Sequence, residues 1–252
     1  MRNVLLASAA LSVLIASAPA MAADLAARPY TKAPPMAVSV YNWGGFYVGA
    51  NGGYGSSHNC WNLDNVAGFG PVVPAVAEGC HNATGGLAGG QVGYRWQASS
   101  WVFGLEAQGD WADLKGSNVS SPAAFFPLVN QTKIDAIGLF TGQVGYAWNN
   151  VLWYVKGGAA VTSDKYTGTL AGVALDSASE TRWGGAVGTG IEVGFAPNWS
   201  VAFEYDHLFM GSKDVRFAIV GINDRTDNIK QNVDMATVRV NYTFGGPVVA
   251  KY

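Results

Sequence analysis

Two carboxylate pairs, Glu106/Asp110 and Glu204/Asp206, are the residues whose types and spacing would suit acid–base chemistry. One member of such a pair would hold a proton while the other stayed ionised. Neither pair has a partner in sequence that would make it catalytic. The three histidines, His58, His81 and His207, are scattered, and no Ser/His/Asp order stands out. Gly188-x-Gly190 lies inside an alternating stretch with no helix after it, so it is no dinucleotide fingerprint. The plainer reading of the acids is a salt-bridge network with arginines on the same face. No catalytic residue and no cofactor follow from these positions.

Cys60 and Cys80 are the only cysteines. They enclose a Gly/Pro-rich segment, and a small even number in an exported chain points to one disulfide. Closing a loop of about 20 residues contributes roughly 3 kcal/mol in the chain-entropy model. His58 and His81 flank them, but the spacing matches no zinc pattern. No metal is expected.

The elements that must position these groups are strands. From Trp43 onward the chain alternates with period two. Phe46, Val48 and Ala50 interleave with Tyr47, Gly49 and Asn51. Trp101, Phe103, Leu105 and Ala107 interleave with Gly104, Glu106 and Gln108. Similar stretches lie around Val92, Val144, Val155, Ile191, Val201 and Val240, which makes eight candidate strands. Gly90-Gln-Val-Gly-Tyr-Arg-Trp96 returns as Gly142-Gln-Val-Gly-Tyr-Ala-Trp148, and more weakly as Gly190-Ile-Glu-Val-Gly-Phe195. Each copy is followed by a short turn and a Trp. The repeat therefore holds two strands, where a propeller blade would need four.

Charged residues make up only 13% of the chain, and there are 33 Gly and 9 Trp. Net charge is -2, with no basic stripe for nucleic acid. Arg2, the apolar run Val4–Ala16 and the small residues to Ala22 read as a signal peptide over 1–22. Residues 23–42, with Pro29, Pro34 and Pro35, read as an extended periplasmic lead. The barrel is expected over 43–244 and a tail over 245–252.

Connections alternate between tight turns (97–100, 149–150, 196–198) and longer stretches expected as loops (about 56–82, 114–133, 163–181, 211–231). That is the plan of an outer-membrane barrel, with short turns periplasmic and loops outside. Trp96, Trp101, Trp148, Trp153, Phe195, Trp199, Tyr242 and Phe244 all fall at the short-turn end and are expected as a periplasmic aromatic girdle. The opposite face carries Arg95, Glu106, Asp110, Asp135, Lys156, Arg182, Glu192, Glu204, Asp206 and Arg239. Four positive against six negative charges would largely pair across a closed lumen. A soluble lipocalin-type barrel would turn its apolar face inward and not hold ten charges there. The fold class is therefore an all-β, eight-stranded antiparallel transmembrane barrel.

Trp43-Gly-Gly-Phe-Tyr-Val-Gly-Ala-Asn-Gly-Gly-Tyr54 resembles the opening strand of the alphaproteobacterial outer-membrane immunogenic proteins, the RopB-like family of rhizobia and brucellae. The Ala-Asp-Leu start after Ala22, Tyr154–Ala160 and Val238-Arg-Val-Asn-Tyr-Thr-Phe244 with its tail are similar as well. The resemblance implies an abundant, often antigenic surface barrel linked to envelope integrity, with some members porin-like or haem-binding. It brings no catalytic residues, and the Cys60/Cys80 segment is not part of its pattern. Expected partners are outer-membrane lipid and lipopolysaccharide, with the C-terminal strand offered to the barrel-assembly machinery.

Overall fold

The computed structural model describes residues 41–121, 128–219 and 222–245. The signal peptide, nearly all of the proline-rich lead and the tail beyond Gly245 lie outside the described residues. Eight strands follow in chain order: β1 (Gly45–Val66), β2 (Gly70–Ala98), β3 (Trp101–Val119), β4 (Val129–Trp148), β5 (Val151–Leu170), β6 (Val173–Ala196), β7 (Trp199–Ile219) and β8 (Ile222–Phe244). Each pairs antiparallel with its neighbour, and β1 closes on β8 from Phe46↔Phe244 to Val66↔Arg225. Closure leaves no sheet edge, the condition for a sheet to sit in hydrocarbon.

The periplasmic turns are two residues long, at 99–100, 149–150 and 197–198. Ser99, Asn149 and Asn198 take positive φ there (57°, 56° and 67°). Asn tolerates that region because its short side chain bonds locally to the backbone.

The stretches expected as long loops are mostly strand. The strands run 19 to 29 residues, well beyond the roughly 9–11 that a bilayer requires. The β1–β2 hairpin continues to a tip at 67–69, and β5–β6 turns at Ala171-Gly172. The reason is chemical. Above the membrane the outward face becomes polar, so apolar-out alternation disappears from the sequence while the ladder continues. On β5, for example, Thr162, Asp164 and Tyr166 still point inward and are buried.

Exposed rings mark the two membrane interfaces. Trp96, Trp101, Trp148, Trp153, Phe195, Trp199 and Phe244 are all exposed at the periplasmic end, with Tyr242 half-buried against Trp199. Tyr54, Trp111, Trp183 and Phe209 form an outer set. Phe46 and Tyr54 on β1 are eight residue rises apart, which at a tilt of about 40° is about 21 Å along the membrane normal, close to the roughly 25 Å of an apolar band.

Candidate functional site

The interior is the candidate site, and it is filled in layers. At the periplasmic mouth Trp43, Val102, Ala147, Leu152 and Tyr154 pack together with Tyr41 against them. The chain entering β1 thus lies across the opening. Above this layer sit the charges. Arg95 donates to Glu192 (2.8 Å) and lies over the Tyr47 ring, 4.3 Å from its centroid. Glu192 also accepts from Ser200 Oγ (2.5 Å) and Asn241 Nδ2 (3.0 Å). Arg239 bridges Glu106 and Glu204 across the lumen. Lys156 Nζ reaches Glu204 (2.6 Å), Asp206 (3.3 Å) and Glu106 (3.4 Å). Tyr47 and Tyr154 donate their hydroxyls to Glu106 and Glu204, each at 2.6 Å.

Small residues make room for these long ones. A Cβ on Gly93 would lie 2.5 Å from the Tyr47 hydroxyl, and one on Gly190 would lie 2.5 Å from that of Tyr154. Tyrosines thus fill the space over Gly93 and Gly190, and the Asp206 carboxylate fills that over Gly188. The next layer is aliphatic, including Leu87, Leu114, Ile134, Leu139, Leu208 and Met235. These side chains form one buried cluster.

Seven of the ten charges expected in the lumen are brought together: Arg95, Glu106, Lys156, Glu192, Glu204, Asp206 and Arg239. Asp110 and Arg182 are buried in the lumen but stand apart. Asp110 accepts from Gln108 Nε2 (2.8 Å) and has no ion-pair partner among the described residues. Arg182 donates to the carbonyls of Met210 (3.4 Å) and Gly211 (2.9 Å) and to Tyr166 Oη (3.3 Å). The β6–β7 ladder is interrupted between Ser177 and Gly185, and Arg182, inside that gap, ties β6 to β7 through these carbonyls. Asp135 corrects the sequence reading. A bulge between Ile134 and Ala136 turns it to the outer wall, where it binds Lys133 (2.5 Å) and Lys165 (2.7 Å).

Cys60 and Cys80 are cross-strand partners joined by a disulfide of 2.03 Å. His58 lies close by, with Nε2 at 3.4 Å from the Cys60 sulfur. Both sulfurs are taken up in the bond, so this trio offers no thiolate for a metal. His81, on the inner side of β2, donates from Nδ1 to Asn118 (2.7 Å) and accepts the Thr132 hydroxyl at Nε2 (2.9 Å). Burial lowers its pKa, which keeps this neutral tautomer.

A second polar centre, unforeseen from sequence, lies in the part of the barrel above the membrane. Arg225 binds Glu78 (3.0 Å), Asp176 (2.8 Å) and Asp227 (3.0 Å), and sits 4.5 Å over the Phe217 ring. Trp61, Tyr166, Val215, Phe217 and Ile229 pack beneath it. Glu78 and Asp176 accept Arg225's hydrogen bonds. Asp227 is left as the poorly served third carboxylate, and burial, with Glu78 and Asp176 adding to it, pushes its pKa up to about 8. Parity along β8 from Arg239 down to Arg225 was the signal available for finding these groups. Their mutual contact depends on the barrel's stagger.

A closed eight-stranded ring with a lipid-compatible outer band and an ionic interior defines an outer-membrane β-barrel. The chain belongs to the family described as the outer membrane protein beta-barrel domain, whose model matches residues 8–244. It is 30% identical over 175 residues to a 22 kDa outer membrane protein of Rhizobium leguminosarum bv. viciae, covering 69% of this chain and 67% of that one. The outer membrane protein OprG of Pseudomonas aeruginosa is similar in fold, with a TM-score of 0.53 at 10% identity over 82% of this chain and 99% of that one. The outer membrane protease OmpT of Escherichia coli is similar at a TM-score of 0.49 and 10% identity, over 79% and 97%. The protein resides in the outer membrane of a Gram-negative bacterium.

Two outcomes follow. Arg239→Ala leaves Glu106 and Glu204 facing each other with only Lys156 between them, and should lower the unfolding free energy in detergent micelles by about 3–5 kcal/mol, read from urea titration of tryptophan fluorescence. An unchanged midpoint would remove Arg239 from its central role. The second concerns pH. Asp227 binds a proton more tightly folded than unfolded, so its contribution is largest at low pH and is lost as pH rises from the unfolded value through about 8. Protease cutting of the extracellular hairpins should accelerate as pH rises from about 4 to about 8 and level off above that, and Asp227→Asn should flatten that profile.

Proposed function

We propose that this protein is a non-conducting structural barrel of the outer membrane that contributes to envelope integrity and holds four stiff β-hairpins above the surface. The carrying observation is the layered interior: an aromatic mouth, a bridged charge layer and a buried aliphatic cluster on one axis. An eight-stranded barrel is narrow enough for side chains to fill it. A small porin would need a continuous wet path, and a receptor for a haem-type ligand would need a cavity reachable from outside. Leu114, Ile134, Leu139 and Leu208 stand across both routes, each fully buried.

On this reading the protein is not an enzyme, and its hairpins are its working surface. Its neighbours are the lipids and lipopolysaccharide around the wall. The C-terminal strand ending at Phe244 is the segment presented to the assembly machinery.

Recording from the purified, refolded protein in a planar bilayer tests the sealed interior. The expected trace has no stable unitary steps, while Leu114→Gly combined with Leu139→Gly and Leu208→Gly should introduce them. Steady ohmic steps from the unaltered protein would overturn the sealed reading in favour of a channel. For the envelope role, deleting the gene should raise sensitivity to sodium dodecyl sulfate, and unchanged sensitivity would count against it.

A further inference from the structure

Three lysines stand side by side on the outer wall. Lys115 on β3 is the register partner of Lys133 on β4, which is in turn the partner of Lys165 on β5. Like charges placed directly opposite one another across strands repel. Two acids hold the row together from the bilayer side: Asp113 binds Lys115 (2.8 Å) and approaches Lys133 (3.8 Å), and Asp135 binds Lys133 and Lys165. Asp113 faces out by the ordinary alternation of β3, between Trp111 and Lys115, while Asp135 owes its outward direction to the bulge between Ile134 and Ala136. Three cations against two anions leave one positive charge, with ammonium hydrogens unused by the acids.

Directly on the membrane side of this row lies a groove of about 480 Å³. Its floor is made of small residues, Gly109, Ala136 and Gly138, with Val161 beside them. Trp111 stands on one flank, 79% exposed, and Trp183, the register partner of Val161, stands on the other, 64% exposed. The groove is thus apolar and open to the outer leaflet at the depth of the outer aromatic set. A cationic row at headgroup height over an acyl-sized slot matches a molecule that is anionic at one end and hydrocarbon at the other.

We infer that β3–β6 form a binding site for a phosphorylated lipid of the outer leaflet, with its phosphate on Lys115, Lys133 and Lys165 and one acyl chain between Trp111 and Trp183. Ammonium–phosphate contacts are charge-assisted and strong where water is scarce. They would also relieve the repulsion within the lysine row. The proposal rests on the outer-membrane location and stands or falls separately from the sealed interior.

The test uses the full mature protein in detergent micelles and native mass spectrometry, with bisphosphorylated hexa-acyl lipid A as probe. The unaltered protein should retain one lipid. Retention should fall about tenfold when K115Q, K133Q and K165Q are combined, as expected for losing a charge-assisted contact. Gly138→Leu, whose Cβ would lie 2.8 Å from Val161 Cγ1 and whose side chain fills the slot, should lower it as well. K230Q, on β8 across the barrel, should leave it unchanged. Heat-modifiable migration on gels confirms that each variant is folded. Equal retention by the triple variant overturns the proposal. So does equal retention of the dephosphorylated lipid, or displacement by millimolar inorganic phosphate, which would make the row a site for free anions.

Discussion

A backbone that crosses hydrocarbon can send its N–H and C=O groups only to another strand. A single unpaired group there costs several kcal/mol. Here that requirement is met by closing β1 on β8, and closure then dictates the rest. Once the ring is closed, every residue of a spanning strand faces either lipid or lumen, with no third choice. Ring twist and stagger bring together lumen residues that are far apart in sequence. Arg239 meets Glu106 at a separation of 133 residues and Glu204 at 35. The gap in the β6–β7 ladder between Ser177 and Gly185 is bridged locally by Arg182 donating to the carbonyls of Met210 and Gly211.

The interior charges are best understood as a matching problem. Buried ion pairs often contribute little net stability, because desolvation offsets attraction, while removing one partner costs several kcal/mol. Lys156 and Arg239 between Glu106, Glu204 and Asp206 therefore act mainly against wrong registers. A slip by one residue would send these groups into lipid and bring Phe and Val into the lumen. The tyrosines add shape to the same constraint. Tyr47 fits over Gly93 and Tyr154 over Gly190, so a shift of two residues, which preserves facing, would still fail on volume.

How much of this is legible in the sequence follows from what period two can encode. Facing is encoded directly. The strands in the membrane, the periplasmic rings and the inward charges could all be named from alternation, since lipid demands an apolar outer face. Partners are not encoded, because they depend on the stagger. Arg182 shares parity with Glu192 yet bonds to carbonyls, and Asp110 shares parity with Glu106 yet meets Gln108. Bulges are invisible for the same reason. Asp135 is two residues from Lys133 and one from Ile134, and only the extra residue in β4 places it outside. The strand extensions escaped notice because a polar outer face with a mixed inner one, as in Thr162-Ser-Asp-Lys-Tyr-Thr-Gly168, has the composition of a loop.

That last point bears on how one strand serves two solvents. Strand continues past the membrane on the described residues, but on β4 and β7 the inward parity changes at a bulge, and the chemistry of the two faces inverts near the outer aromatic set. Below it, Phe203 and Tyr205 face lipid while Glu204 and Asp206 face inward. Above it, Asp214 and Arg216 face water while Val215 and Phe217 face inward. The lower half is an inside-out protein and the upper half an ordinary one, built on one continuous ladder. The irregularities in β3, β4 and β7, at Trp111/Leu114, Ile134/Ala136 and Phe209/Gly211, all lie at this boundary. A bulge bends and twists a strand without ending it. Placed there, it lets the wall change curvature where the medium changes, and in β4 it turns Asp135 out beside the outward-facing Asp113. The upper half then needs its own core, which Trp61, Phe217 and the Arg225 cluster supply, and its own staple, which Cys60–Cys80 supplies outside the reach of the bilayer.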